Sequence, residues 1–466
     1  MQLYKLTLAA AAEAIASKEL SPVELTASVL QRLDETEDTL NAYVTVTAEA
    51  ARTAAAQAER EIMAGRYRGP LHGIPFALKD TIDVSGVPTT AGSRLWADRL
   101  PTEDSAVTRS LASAGAVLVG KTQTHEFAYG LITPQTANPW HTERIAGGSS
   151  GGSAVAVAAG SALFALGTDT AGSIRVPAAL NGVVGLKPTY GLVSRWGVAP
   201  LSWSLDHVGP ITRNAHDAAL VLDALAGRDV RDPASITSPN LHGECGRPTD
   251  LRGLRVGIPR NHFFHNVTAE VAEAVRAAID RLGDLGVTTV DVEIPLAEYI
   301  LPTLWGLMGP EAASVHEHHL QNQADLFGAD VRILLEAGQL IPADDYMRAQ
   351  RARSVIRRSW RELFDTIDVL AAPTVACTAA ERSQPELRWA DGAVETVTDA
   401  YVRLTAPMNV TGLPSVSIPI GFDGAGLPLG LQLTAGALAE PDLLRTAIAY
   451  ERAYNSSGIL AEAASI

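Results

Sequence analysis

The apolar and polar positions of this chain divide it into three textures. Residues 7 to 66 alternate Ala/Leu-rich and charged positions at roughly helical spacing, and Ser21-Pro22 reads as an N-cap followed by the first helical residue. A pair of exposed helices is predicted there. From Gly73 onward, short β-branched or apolar runs (GIPFALK, AVLVGK, FALGTD, VVGLKP) alternate with Gly, Pro and helical stretches. That alternation predicts an α/β sheet with helices on both faces. The run from Gly151 to Leu166 is small and apolar, too short for a membrane span, and reads as a buried helix followed by a strand. Residues 228 to 250, rich in Pro, Asp, Gly and Ser, read as a connection. Beyond them LRGLRVGIP predicts a strand, TAEVAEAVRAAIDRLGDLG and DDYMRAQRARSVIRRSWRELFDTI predict helices, and TGLPSVSIPIG and GLPLGLQLTAG return to short strands. No internal repeat of fixed period is present.

Composition narrows the class. With 466 residues, 47% of them apolar and 19% charged, the chain has ample material for one large core with insertions and no sign of disorder. Its net charge of -15 opposes nucleic acid and anionic membrane as partners. The two cysteines, Cys245 and Cys377, lie outside any CxxC pattern, so neither a disulfide framework nor a thiolate zinc site is indicated. A reducing, cytoplasmic location is expected. The Leu/Ala stretch near the N-terminus is interrupted by Glu13 and reads as a helix, not a signal peptide.

Three segments carry candidate chemistry: GIPFALKD with Lys79, GGSSGGS with Ser149 and Ser150, and GTDTAGSIR with Ser173. Gly147, Gly148, Gly151, Gly152 and Gly172 suggest tight turns near a bound group, whose successive amides could form an anion hole. A Gly/Ser linker would not run straight into the apolar AVAVAAG, and a phosphate loop would show GxxxxGK[ST] or GxGxxG, which are missing. Lys79 followed by Asp80 could form a surface pair; inside a core, desolvation would instead leave the lysine neutral and able to act as a base.

In this order the three segments resemble the amidase signature family of serine hydrolases. Ser149 and Ser173 stand 24 positions apart, as the family's relay serine and nucleophile do, and Lys79 lies in its lysine segment. The resemblance extends through NGVVGLKPTYGLVSR, SLDHVGPITR, DVLAAPT and the closing GLP and GLPLGLQ segments. It implies an α/β fold with a central mixed twisted β-sheet covered by helices on both faces. One amidase domain would span 1–466: N-terminal helices to 66, a signature core over 67–227, a mainly helical insertion over 251–380, and the C-terminal part of the core from 381.

The same resemblance implies a Ser-Ser-Lys triad in which Ser173 attacks the carbonyl and becomes acylated. Ser149, preceded by a cis peptide bond, would relay the proton to neutral Lys79. The N–H groups of Thr170, Ala171, Gly172 and Ser173 would hold the oxyanion; Ala171 stands where many members carry Gly. Ser150, Asp169 and Arg175 would be structural support, the last two as a buried bidentate pair. His125 and His207 are assigned structural roles.

The family includes amidases, aryl acylamidases, carbamate hydrolases and the glutaminase component of tRNA-dependent amidotransferases. That component resembles GSIRQPA where this chain has Val176 after Arg175. Ala128, Tyr129, Leu131 and Ile132 would line an apolar acyl pocket, with ordinary core residues as the alternative reading of Tyr129 and Ile132. The reaction expected is hydrolysis of small aryl or alkyl amides or carbamates, with no cofactor, no metal, no nucleic acid and no membrane; a homodimer is allowed. The alternatives are a catalytically silent binding protein of the same fold and the glutaminase component of an amidotransferase. His316, His318 and His319 are read as a solvated helical surface, not a metal site.

Overall fold

The computed structural model describes residues 2–237, 250–456 and 459–461. Residues 228–237 form no helix or strand; the rest of the predicted connection, with Cys245, lies outside the described residues apart from position 250. Eleven strands join in one mixed sheet. They are β1 (Tyr43–Val46), β2 (Pro75–Lys79), β3 (Val117–Thr122), β4 (Phe164–Asp169), β5 (Val184–Lys187) and β6 (His207–Thr212), then β7 (Arg255–Pro259), β8 (Thr288–Val292) and β9 (Val369–Pro373). A separate two-stranded ribbon, β10 (Glu386–Arg388) with β11 (Val394–Thr396), precedes the last two sheet strands, β12 (Ser415–Phe422) and β13 (Pro428–Ala435).

The spatial order is β1-β3-β2-β4-β6-β5-β12-β13-β9-β7-β8. Around β2 the pairing is parallel, with Phe76 opposite Phe164 and Leu78 opposite Leu166. Further across, β4 runs antiparallel to β6 and β12 to β13. All four apolar runs noted in the sequence become strands of this sheet, buried at nearly every position as expected of strands covered on both faces.

Helix ends follow the local signals. Ser21 Oγ accepts the N–H of Val23 at 3.0 Å, with Pro22 as first residue of the Pro22–Leu40 helix. The Gly151–Ala159 helix is buried at all nine positions and leads into β4. Residues 7 to 66 depart from the expected helix pair: they form three helices, Leu8–Ala16, Pro22–Leu40 and Ala48–Met63, and between the last two the chain adds β1 antiparallel to β3. Burial of Tyr43 against the core decides that strand, whose four residues are too few to show a period. Residues 251 to 380 hold four long helices and also donate β7, β8 and β9 to the sheet. Among the described residues no helix is long and apolar enough to cross a membrane.

Phe164, at the start of β4, is fully buried and stacks on Phe76 with ring centroids 5.2 Å apart. Phe164→Ala is expected to lower unfolding free energy by about 3–5 kcal/mol, read from a urea titration with unchanged slope.

Candidate active site

Strand register brings the first two groups together. Lys79 ends β2 beside β4, which carries Thr168 one residue before its own end. The Lys79 amine is fully buried and donates to Ser149 Oγ and Thr168 Oγ1, both at 2.7 Å. Burial pushes its pKa down to about 7, against the pull of Asp169 and Asp206. Asp80 does not pair with it. Its carboxylate accepts from Lys121 Nζ at 3.0 Å and from Thr90 Oγ1 at 2.6 Å, because consecutive residues of extended chain point to opposite sides.

The glycine-rich segment is stitched to β4 and to the turn after it. The Gly148–Ser149 peptide bond is cis. Ser150 donates its N–H to Ser173 O at 3.2 Å, its hydroxyl donates to Thr168 O at 3.1 Å, and that hydroxyl accepts the Thr168 N–H at 3.2 Å. Ser150 therefore ties the Ser149 and Ser173 segments to one strand end.

Asp169 organises the turn that follows β4. Its carboxylate accepts N–H groups from Gly172 at 2.8 Å and Ile174 at 3.2 Å, and meets Arg175 through two bonds of 3.0 Å. The guanidinium continues to Thr405 O, Gln432 Oε1 and Asn409 Oδ1 at 2.7 to 2.9 Å. Burial would raise the Asp169 pKa, but Arg175 outweighs it and holds the carboxyl below its usual range. At Gly172, φ is +136° and a Cβ would stand 2.2 Å from Thr405 Oγ1, so only glycine fits.

This geometry corrects the four-donor anion hole. The Gly172 N–H is taken by Asp169, leaving those of Thr170, Ala171 and Ser173 without a protein acceptor among the described residues.

Ser173 and Ala171 face an apolar cleft of about 370 Å³. Ala128, Tyr129 and Leu131 line it, as do Trp305, Met308 and Val402, which the sequence pattern did not reveal. Trp305 and Met308 sit three residues apart on the Ala297–Gln323 helix, a spacing that shares a face but does not announce what the face meets. Ile132 and Val176 do not line the cleft. Val176 is fully buried beneath the turn, donating its N–H to Gly172 O at 2.8 Å, and Ile132 backs onto Gly148. Any preference argued from Val176 acts through packing, not contact.

Two other groups carried no signal in the sequence. Thr168 is one; Asp206 is the other, within SLDHVGPITR, accepting from Thr170 Oγ1 at 2.7 Å and from the Leu201 N–H at 2.9 Å. Burial raises Asp206 to a pKa of about 6. His316 is no solvated surface residue: it is buried against Phe127, ring centroids 4.2 Å apart, and against Phe327. His125 contacts Ile132 O and Asp330, and His207 Nδ1 faces Leu205 O at 2.6 Å. Among the described residues no group of three or more His, Cys, Asp or Glu could hold a metal ion.

Comparison with known proteins gives a consistent picture. The Amidase family model matches residues 24–444. An amidase of Pseudomonas putida is 48% identical over 453 residues, 97% of this chain and 96% of its own. A glutamyl-tRNA(Gln) amidotransferase subunit of Chloroflexus aurantiacus is 41% identical over 480 residues, covering 97% of both chains. Among solved structures, a chain of an inhibitor-bound complex studied for the evolutionary origins of an s-triazine catabolic enzyme superposes with a TM-score of 0.92. It is 33% identical and covers 97% of this chain and all of its own.

Arg175→Ala would leave Asp169 buried and unpaired. The expected loss is about 3–5 kcal/mol of stability, read from the denaturation midpoint. Asp169→Ala combined with Arg175→Ala should cost less than the sum of the two single changes, since neither variant partner is then left charged and alone.

Proposed function

Because this chain belongs to the amidase signature family and is an amide-hydrolysing enzyme, we propose that Ser173, Ser149 and Lys79 form its reaction centre. The carrying observation is the 2.7 Å bond between a fully buried lysine amine and Ser149 Oγ, with no carboxylate among the described residues in salt-bridge contact to keep that amine charged. A lysine so placed is a competent base near neutral pH.

In the proposed reaction, Ser173 Oγ attacks the carbonyl carbon while its proton passes to Ser149, and the Ser149 proton passes to neutral Lys79. The carbonyl π electrons move to oxygen, where the N–H groups of Thr170, Ala171 and Ser173 receive the charge, each worth about 3–4 kcal/mol in the transition state. Collapse breaks the C–N bond, and the proton returns from Lys79 through Ser149 to the departing nitrogen. Water then attacks the acyl ester, gives its proton to Lys79 by the same relay, and Ser173 leaves with that proton restored.

The apolar cleft beside Ser173 suits an aryl or alkyl acyl group. No charged side chain among the described residues lines it, so the α-amino and α-carboxylate groups of glutamine would lose hydration without a partner. Apolar groups gain about 25 cal/mol per Å² buried. The substrate class inferred is small amides, anilides or carbamates, handled by the chain alone or as a homodimer. A net charge of -15 supports a small-molecule enzyme that avoids nucleic acid, and two cysteines outside any CxxC pattern suit a reducing, cytoplasmic setting.

Ser173→Ala should retain the fold and lose at least about 10³-fold in kcat, with loss of fluorophosphonate labelling. Labelling of the variant at the parental rate would place the nucleophile elsewhere, and an unlabelled parent would favour a silent binding protein. The pH dependence follows from Lys79. Below a pKa of about 7 the amine is protonated and idle, so kcat/KM should rise with pH through about 7 and then level off. Lys79→Ala should lose that rising limb together with most of the activity; a parental profile in this variant would exclude Lys79. Isolated enzyme is expected to cleave an anilide or an aryl carbamate and to leave glutamine intact. Glutaminase activity that arises only with a partner protein, without turnover of the other two, would assign the chain to the amidotransferase branch.

A further inference from the structure

A second cleft, of about 710 Å³, opens beside the apolar one and shares Ala128, Thr170 and Leu201 with it. The two differ at the reaction centre. Ser173 and Ala171 line only the apolar cleft, whereas Thr168, the hydroxyl partner of Lys79, lines only the second. When an amide is cleaved, its two halves part on either side of the attacking oxygen, and the departing nitrogen must be reached by the proton held at Lys79 and Ser149. We propose that the second cleft receives the amine half of the substrate, and that this half is an uncharged aromatic amine packed against Trp203. The inference rests on reading Ser173 as the acylated residue.

Charge chemistry sets the class. The ionic groups of this cleft are already satisfied within the protein. Arg195 and Asp232 form a two-point pair at 2.9 and 3.1 Å. Arg231 is bound by Asp229 at 2.8 Å, and Asp206 is occupied by Thr170, Leu201 and Ser202. An amine carrying its own carboxylate or ammonium would be desolvated there without a free counter-charge. Arylamines are neutral at neutral pH and bring a flat apolar face.

Trp203 offers the matching surface. Its side chain is large and 53% exposed, yet its ring has no aromatic or cationic neighbour among the described residues. Trp196, by contrast, is already covered by the guanidinium groups of Arg231 at 4.3 Å and Arg109 at 4.5 Å. The backbone around Trp203 is held on every side. Its carbonyl accepts from Tyr190 Oη at 2.6 Å and from Arg195, while the Ser202 hydroxyl and the Ser204 N–H, 3.1 Å away, both donate to the buried carboxylate of Glu311. An indole has only two side-chain torsions to fix and its backbone is already held, so ordering it against a ligand costs little for the contact area gained.

The test uses one acyl group with two leaving groups: 2-phenylacetamide, which releases ammonia, and N-phenyl-2-phenylacetamide, which releases aniline. In Trp203→Ala the ratio of kcat/KM for the anilide to that for the primary amide should fall about tenfold, the size of effect one aromatic contact with its buried area supports. Trp203→Phe should recover most of the ratio. Aniline added to the primary-amide reaction should inhibit the parent about tenfold more strongly than Trp203→Ala. A ratio that stays constant, whether both rates fall together or neither moves, overturns the assignment, as does a parent that cleaves the primary amide but not the anilide. Fluorophosphonate labelling of the same preparations separates the two levels. A labelled enzyme with an unmoved ratio refutes the cleft assignment alone, whereas an unlabelled parent refutes the reading of Ser173 and this inference with it.

Discussion

A lysine amine taken wholly out of water, with only hydroxyls at hydrogen-bond distance, is a demanding thing to build, and the rest of the site is arranged around it. An isolated buried ammonium would cost many kcal/mol; the protein lowers that cost by allowing the group to lose its proton, hence a pKa of about 7. In the proposed reaction a neutral amine can accept the serine proton, and the positive charge it gains is matched by the oxyanion that forms on the substrate. This explains why Asp80, adjacent in sequence, is committed to Lys121 instead. A carboxylate in contact with Lys79 would hold it charged and abolish the balance.

The proposed oxyanion hole needs a turn that leaves some of its backbone N–H groups unpaired. Asp169 and Arg175 accomplish this at a distance from solvent, each fully buried and each bonded to the Val397–Thr411 helix as well as to the other. Burying an ion pair is a weak source of stability in itself, because desolvation offsets the attraction. Its use here is geometric. The carboxylate takes the amides of Gly172 and Ile174, and that choice decides which neighbouring amides remain free.

Sheet and helices divide the work. Parallel and antiparallel strands at the centre of the sheet hold Lys79, Thr168 and the Asp169 turn in register, where one-residue slippage would turn each side chain to the opposite face of the sheet. Helices from residues 297 to 411 supply Trp305, Met308 and Val402 to the apolar cleft, and Glu311 braces the 202–204 loop at the other. The proposed reaction centre therefore sits on the central sheet, and the cleft walls on elements packed against it.

Much of this was legible in the chain itself. The apolar runs that became β2 to β5, the Ser21 cap, the buried Gly151–Ala159 helix and the three motif segments all depend on local rules: residue period, capping chemistry and glycine's backbone freedom. What only the tertiary structure decided are matters of long-range contact. The four residues of β1 became a strand because β3 offered an open edge. Val176 turned inward and Ile132 fell outside the cleft, while Trp305 and Val402, more than a hundred residues further on, came to line it with Ser173. Arg175 found Asn409 and Gln432, more than two hundred residues further on, as the acceptors that fix its turn. A hydrogen bond or a cleft wall is defined by two partners in space, and one-dimensional spacing specifies the second partner only when it lies within a turn or so of the first.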